Sequence, residues 1–217
     1  LWSERFNWSP IFTPEINTDA IIDAGAVSFR FDPDLNVVTT VASVTVTNST
    51  STDPADTDSL TLSQPLTTSG NFQVGASGRA NGIVANPDVN GSLIISPGGI
   101  LDATGSTNTI SVAGSLGVFG SFVPGQTTIA LDGASYQSIG ISSASQDLYN
   151  LTISNTSVGT CGASSGNVCT SASFGIVKDF TSNGKYEASA GTVTFLGSGP
   201  QVINSAGAAT SQFDLTQ

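Results

Sequence analysis

Short runs of alternating apolar and polar residues recur along this chain about every ten residues. Residues 128–131 read Thr-Ile-Ala-Leu, and residues 137–141 read Gln-Ser-Ile-Gly-Ile. Period-two alternation is typical of strands that bury one side, and no window of helical length carries the apolar stripe of an amphipathic helix. The pattern predicts an all-β chain, with strands at 21–31, 37–47, 93–96, 109–112, 120–123, 128–131, 137–141 and 148–153.

The sequence also contains a repeat of much longer period than this alternation. Residues 127–153 match residues 191–217 without a gap, 64 positions later, and residues 60–72 match residues 110–122, 50 positions later. Similarity at a long fixed spacing is typical of repetitive architectures. The sequence predicts one repetitive region, residues 59–217, built from three copies at about 60–109, 110–173 and 174–217.

Matched positions of the copies share their chemistry: apolar residues match apolar residues, glycine matches glycine, and Gln137 matches Gln201. In a parallel β-solenoid each coil packs on the previous one, so equivalent inward positions stay apolar and corner positions stay small. The alternative is a β-sandwich, but immunoglobulin-like domains need about seven strands and about 100 residues each. We therefore predict a parallel β-solenoid. The repeated glutamine predicts either an inward ladder of stacked amides or an exposed corner.

The first quarter of the chain differs in composition from the rest. Residues 1–58 hold nine of the 16 acidic residues and both tryptophans, and a polar segment at 51–59 separates them from the repeats. An aromatic-rich terminus is expected to find a partner surface, because exposed apolar patches usually mark interaction sites. We predict that residues 1–58 form an acidic β extension that caps the solenoid or contacts another subunit. The candidate assembly residues are Trp2, Phe6, Trp8 and Phe12.

Charge and composition exclude several functions. The net charge is −11 and only 10% of residues are charged, whereas nucleic-acid binding needs clustered Lys and Arg. No apolar run approaches the length of about 18 residues that predicts a membrane span. Histidine is absent and the five basic residues are scattered, so acid–base and lyase chemistry lack their usual groups. We predict a non-enzymatic protein. The start at Leu1, without a basic or apolar leader, is that expected of a mature chain.

Two cysteines, Cys161 and Cys169, bracket a short loop. A zinc site would lack further ligands, and a catalytic thiol would lack an imidazole base. A disulfide between them is the preferred interpretation over two free thiols, and loop entropy predicts a stabilisation of about 2–3 kcal/mol. A disulfide indicates an oxidising compartment, and we expect a secreted or cell-surface protein.

Candidate ligand and modification sites are few. Asp32, Asp34 and Asn36 have the alternate spacing of oxygen ligands in calcium loops, although the glycine and distal glutamate of an EF-hand are missing. A solvated turn explains the same residues without calcium, so no cofactor is predicted and calcium is retained as the one candidate. Asn-X-Ser/Thr sequons, which are compatible with N-glycosylation, occur at Asn7, Asn48, Asn90, Asn150 and Asn155.

One pattern resembles a known class of repeats. It reads G-x-F…G-T-x-T-F-x-G…Q-x-I…F-x-N-L-T-I and lies at 120–122, 127–133, 137–139 and 149–153, with its partners in the last copy. It is similar to the repeats of large secreted surface proteins of bacteria and archaea. The resemblance implies a β-helical stalk, fibre or adhesin, and it covers residues 60–217.

These observations predict an extracellular structural protein, a subunit of a surface filament or adhesin stalk. Its expected partner is itself, joined head to tail, because an open strand edge at one end needs a cap or another chain. A host or glycan surface is the second expected partner. The alternative function is a carbohydrate-binding or carbohydrate-processing β-helix.

Overall fold

The computed structural model describes residues 13–23, 33–48, 58–142, 146–155, 168–184, 186–188 and 191–205. Within these ranges every regular element is a β-strand. The strands are β1 Asp19–Asp23, β2 Thr39–Val41, β3 Ser43–Thr47, β4 Asp58–Thr61, β5 Leu66–Thr68, β6 Phe72–Val74, β7 Gly78–Asn81, β8 Asp88–Val89, β9 Leu93–Ile95, β10 Ile100–Asp102, β11 Thr109–Val112, β12 Leu116–Val118, β13 Ser121–Val123, β14 Thr128–Leu131, β15 Gln137–Ile141, β16 Asp147–Leu148, β17 Asn150–Ile153, β18 Val168–Thr170, β19 Phe174–Ile176, β20 Phe180–Ser182, β21 Tyr186–Ala188, β22 Val193–Phe195 and β23 Ile203–Ser205.

The chain visits three faces in turn, and one circuit of the faces is called a coil here. The first face is the sheet β1-β3-β6-β9-β12-β15-β18-β21, and the third face is the sheet β2-β5-β8-β11-β14-β17-β20-β23. The second face holds two sheets, β4-β7-β10-β13 and β16-β19-β22. All strand pairs are parallel. The predicted parallel β-solenoid is therefore confirmed, because an immunoglobulin-like sandwich would pair its strands antiparallel.

The core is a set of stacked apolar columns. On the first face Leu93, Leu116 and Ile139 lie in register on successive coils, and each is at most 2% exposed. Alternate residues of β9 and β15 point inward, so an apolar residue meets an apolar residue at each of these rungs. Burying one such Leu or Ile side chain contributes about 1.5–3 kcal/mol. This column packing explains why simple alternation in the sequence suffices to specify strands.

The sequence copies do not stack on one another. Leu66 lies on the third face in β5, whereas its match Leu116 lies on the first face in β12. Ile129 lies on the third face in β14, and its match Val193 lies on the second face in β22. The matches are seven and eight strands apart, and three strands complete a coil. Matched residues therefore have the same local role on different faces, which corrects the expectation that equivalent positions lie directly above one another.

Strands of the predicted N-terminal extension belong to the same stack. β1 pairs with β3 on the first face, and β2 pairs with β5 on the third. The strand predicted at 37–47 is in fact two strands, because the chain turns from one face to the next at Ala42. Residues 51–57 lie outside the described part of the chain, and the division at residue 58 stays a prediction.

Candidate assembly interface

Glycines recur at the corner between the third and first faces. The Gly91 N–H donates to the Gly70 carbonyl at 3.0 Å, and the Gly114 N–H donates to the Gly91 carbonyl at 2.7 Å. A Cβ atom on Gly114 would lie 2.5 Å from the carbonyl oxygen of Gly91. The coils approach so closely that a side chain would collide with backbone, and glycine is required here. The corner glycines are Gly70, Gly91, Gly114, Gly133 and Gly184.

At the Gly133 corner the side chain of Gln137 replaces the direct glycine–glycine hydrogen bond between coils. The Gly133 N–H donates to Oε1 of Gln137 at 3.2 Å, and Nε2 donates to the carbonyls of Val112 (2.8 Å) and Gly114 (2.6 Å) in the coil before. From the following coil, Nδ2 of Asn155 donates to the same Oε1 at 2.7 Å. The side chain is fully buried, so every polar atom of the amide needs these partners.

Gln201 repeats the arrangement at a different corner, between the second and third faces. Its Oε1 accepts from the Gly197 N–H at 3.2 Å, and Nε2 donates to the carbonyls of Ile176 (3.1 Å) and Lys178 (2.9 Å). The repeated glutamine is thus a bridging amide. Neither a glutamine ladder nor an exposed corner describes Gln137, because it is buried and its partners are backbone atoms and an asparagine.

The C-terminal end of the described stack leaves its apolar column uncovered. Ile203 is in register with the fully buried Phe180, yet it is 46% exposed. Leu196 and Val202, which flank it in the same coil, are also exposed. In the described part of the chain β23 pairs with β20 alone, so its other edge has no strand partner there. This end therefore combines an apolar surface with an open strand edge.

The N-terminal end has the same two properties. A shallow groove of about 390 Å³ lies between the turn that precedes β1 and the start of β2. Ile16 and Val38 in its lining are 59% and 73% exposed. Among the described residues β2 pairs with β5 only. The groove is lined by Thr13, Pro14, Glu15, Ile16, Val37, Val38, Thr39 and Thr40.

The predicted assembly and calcium residues fall largely outside the described ranges. Trp2, Phe6, Trp8 and Phe12 lie there, and so does Asp32. The calcium prediction thus stays open, and its two described residues are taken separately.

Those two residues are half-buried. Asp34 forms an isolated parallel bridge with Thr61, and its buried Oδ1 has no hydrogen-bond partner in the described structure. Asn36 follows two residues later. The described ranges contain no group of three His, Cys, Asp or Glu side chains that could hold a metal ion. Calcium remains a prediction.

The disulfide prediction is only half visible. Cys169 lies on β18 and is 5% exposed, and no cysteine of the described residues is free. Cys161 lies outside those residues, so the bond between the two stays a prediction.

The sequons differ sharply in exposure. Asn48 and Asn155 are buried, and Nδ2 of Asn155 already donates to Gln137 and to the Ser135 carbonyl, which leaves no room for a glycan in the fold. Asn90 is exposed and Asn150 is half-buried, whereas Asn7 lies outside the described part. Asn90 is the most exposed of the described sequons, although its Nδ2 donates to the Thr68 carbonyl at 3.0 Å.

Two carboxyl groups have shifted pKa values. Burial raises the pKa of Asp132, the charge of Asp88 adds to the shift, and a hydrogen bond from Ser111 opposes it. Burial of Asp102 alone would raise its pKa, but hydrogen bonds from Thr104 and the charge of Arg79 outweigh this effect and lower the pKa. Arg79 and Asp102 form the one ion pair seen among the described residues. These groups lie apart from both ends of the stack.

Comparisons with known proteins find no family model, no curated protein and no solved structure that matches the chain. The described ranges contain no helix long and apolar enough to cross a membrane.

Proposed function

We propose that this protein is a non-enzymatic, extracellular structural protein, a subunit of a cell-surface fibre or adhesin stalk that assembles head to tail. The observation that carries the proposal is that both ends of the described stack expose apolar side chains beside strand edges that have no partner among the described residues. Open edges of regular sheets pair with another chain unless they are covered. A subunit with two such ends is suited to polymerise.

The strand direction suits this contact. The described strands of the third face run parallel from β2 to β23. A second copy placed beyond β23 would therefore add its own β2 to this face in the same direction. Ile203 would then meet the apolar surface around Ile16, and the column of the first copy would be covered. Such a contact joins two different surfaces, and contacts of this kind form filaments when the rotation does not close a ring.

The N-terminal aromatic residues supply a further part of the proposed contact. Trp2, Phe6, Trp8 and Phe12 precede the described stack. We assign them to the cover of the neighbouring subunit's C-terminal end, where Leu196, Val202 and Ile203 are exposed. Aromatic side chains bury large areas and dominate many interfaces, so a short segment could supply much of the binding energy.

The mechanical role follows from the coils. Backbone hydrogen bonds join successive coils along the whole described length of the first and third faces and within each of the two sheets of the second face, and stacked columns fill the interior. The proposed Cys161–Cys169 disulfide would close a loop between β17 and β18, and its presence is consistent with the proposed secretion.

The test uses one variant at each end. Ile16→Asp should block the N-terminal end and Ile203→Asp the C-terminal end, because each places a charge in the apolar contact. Negative-stain microscopy and light scattering should show filaments for the unmodified chain and monomers for each variant. A mixture of the two variants should give dimers, since one intact end remains on each. Circular dichroism checks that each variant keeps its β-structure.

Val84→Asp is the matched control. Val84 is 66% exposed but lies at a corner in the middle of the stack, so its substitution should leave filaments unchanged. Deletion of residues 1–16 should abolish filaments as well. A chain that is monomeric at every concentration, or a mixture of the two end variants that yields no dimer, would overturn the proposal.

A further inference from the structure

The outer side of the first face carries a regular patch over the coils of β9, β12 and β15. Leu93, Leu116 and Ile139 point inward in register, so their neighbours along each strand point outward. The outward residues form three columns: Ser92, Ser115 and Ser138; Ile94, Gly117 and Gly140; and Ser96, Phe119 and Ser142.

Phe119 rests on the two glycines of the middle column. A Cβ atom on Gly117 would lie 2.8 Å from Cε2 of the ring, and one on Gly140 would lie 3.4 Å from Cζ. The ring therefore occupies the space that two outward side chains would fill. Glycine weakens a strand interior and often marks a close approach. Phe119 is nevertheless 45% exposed, so the ring is held in place from below and open to solvent above.

By the strand register, serines lie in the columns on both sides of the glycines that carry the ring. Ser138 Oγ donates to Ser115 Oγ at 3.1 Å, and the N–H groups of Ser138 and Ser115 donate to the serine hydroxyls of the preceding coils at 3.0 Å each. On the other side Ser142 Oγ donates to the Phe119 carbonyl at 3.3 Å. Fixed hydroxyls that flank an immobilised aromatic ring can exchange hydrogen bonds with a polar ligand that stacks on the ring.

Charge selects the ligand class. The patch contains no ionisable side chain, while the whole chain carries −11. An anionic polymer would be repelled by that charge, and a cation would find no carboxylate within the patch. An uncharged ligand with an apolar face and hydroxyl edges matches both the ring and its serine border.

We propose that this patch binds a neutral sugar, with Phe119 as the stacking platform. The C–H face of one pyranose ring lies on the aromatic face, and its hydroxyls bond to Ser115, Ser138 or Ser142. Strand geometry makes the patch about 10 Å by 13 Å, which is room for a short oligosaccharide. The platform lies on the side of the stack, so it does not depend on the end-to-end contact proposed above.

The experiment titrates the full-length protein with cellohexaose and mannohexaose and follows the aromatic NMR signals of labelled phenylalanine. Binding of at least one probe should shift the Phe119 signals. Phe119→Ala should weaken that binding about tenfold or more, because it removes the stacked ring, and Phe119→Trp should retain it. Val84→Ala is the control for loss of an exposed apolar side chain and should bind as the unmodified protein does.

Three results would overturn the proposal. Neither hexasaccharide shifts the Phe119 signals, Phe119→Ala binds as well as the unmodified chain, or Phe119→Ala changes only the oligomeric state. The last result would make the patch a contact between copies. Because the end variants are assayed by filament formation and this platform by sugar binding, one proposal can fail while the other stands.

Discussion

Two corners of the solenoid, 64 residues apart, are built from the same residues but differ in burial. At each, a glycine N–H donates to Oε1 of a glutamine four residues later, and Nε2 donates to two carbonyls of the preceding coil. Gln137 is fully buried, and Asn155 reaches its Oε1 from the next coil. Gln201 is half-buried. The two corners share their local bonds, and their difference in burial comes from the neighbouring coil.

This comparison separates two contributions to stability. The local segment determines the turn and the bonds toward the preceding coil, while the following coil determines how much surface is removed from water. An unpaired polar atom costs more free energy at a buried corner than at an exposed one, because an exposed atom can bond to water instead. The same substitution at the two corners should therefore have different costs.

The largest effect is expected for the isoleucines that follow the two glutamines. Ile139 is 2% exposed and Ile203 is 46% exposed, although they match in sequence. Ile139→Ala should reduce the free energy of unfolding by about 3 kcal/mol, because it leaves a cavity in a packed column, and Ile203→Ala by about 1 kcal/mol or less. Urea unfolding, followed by circular dichroism at concentrations where the chain is monomeric, measures both. Equal losses would contradict this account of the two corners.

The glutamines themselves should show the next largest difference. Gln137→Leu leaves the Gly133 N–H and the Gly114 carbonyl without partners in the interior, with an expected loss of about 2–4 kcal/mol. Gln201→Leu should cost about 1 kcal/mol, since water can replace the amide at that corner. Gln73→Leu is the matched control, because its half-buried amide makes one outer bond to Ser96. A Gln137 variant no less stable than the Gln201 variant would be evidence against the bridging role.

Close approach at the first corner gives a third prediction. A Cβ atom on Gly133 would collide with the Ala113 carbonyl, whereas one on Gly199 would meet no atom within 4 Å. Gly133→Ala should lower stability by about 1–3 kcal/mol through overpacking, and Gly199→Ala should stay within about 0.5 kcal/mol. Thermal unfolding of the two variants compares them directly. A stable Gly133→Ala protein would mean that the corner can widen.

The smallest effect concerns the carboxylate beside Gly133. The pKa of Asp132 is raised in the folded chain, so the folded chain binds the carboxyl proton more tightly than the unfolded chain does. The contribution of Asp132 to the free energy of unfolding therefore falls as the pH rises through the folded-state pKa. Asp132→Asn should therefore raise the melting temperature at pH 7 and have little effect at pH 3. Asp102→Asn should lower the melting temperature at pH 7. The pKa of Asp102 is lowered in the folded chain, so its carboxylate stabilises the fold at pH values above the pKa of the unfolded chain. Melting curves at the two pH values test both signs.

Much of the fold could be predicted from local patterns. The strands predicted at 109–112, 128–131 and 137–141 coincide with β11, β14 and β15. β12 was missed because Leu116–Val118 lies between glycines and resembles a turn. The turn at Ala42 was missed although the alternation shifts there: the buried positions 39 and 41 are followed by 44 and 46.

The candidate sites were harder to predict. Phe119 was not selected from the sequence, because its ring packs on Gly117 and Gly140, and these two glycines become neighbours only through the strand register. The buried state of Asn155 depends likewise on Gln137 in another coil. Phe72 and Phe122, which match each other in the sequence copies, are both buried, since their place in the alternation is local information.

By itself the sequence determined the all-β class and the parallel solenoid, because period-two alternation is local and the repeated apolar and glycine positions can be read along the chain. The tertiary structure alone decided which face each strand joins. Phe72 pairs with Leu93 but Gln137 pairs with Val168, so the coils differ in length, and no fixed spacing in the sequence matches them. The burial of Gln137 and the exposure of Ile203 were decided in the same way. Hydrogen bonds and packing between coils join residues far apart in the chain, and those contacts exist only once the stack has formed.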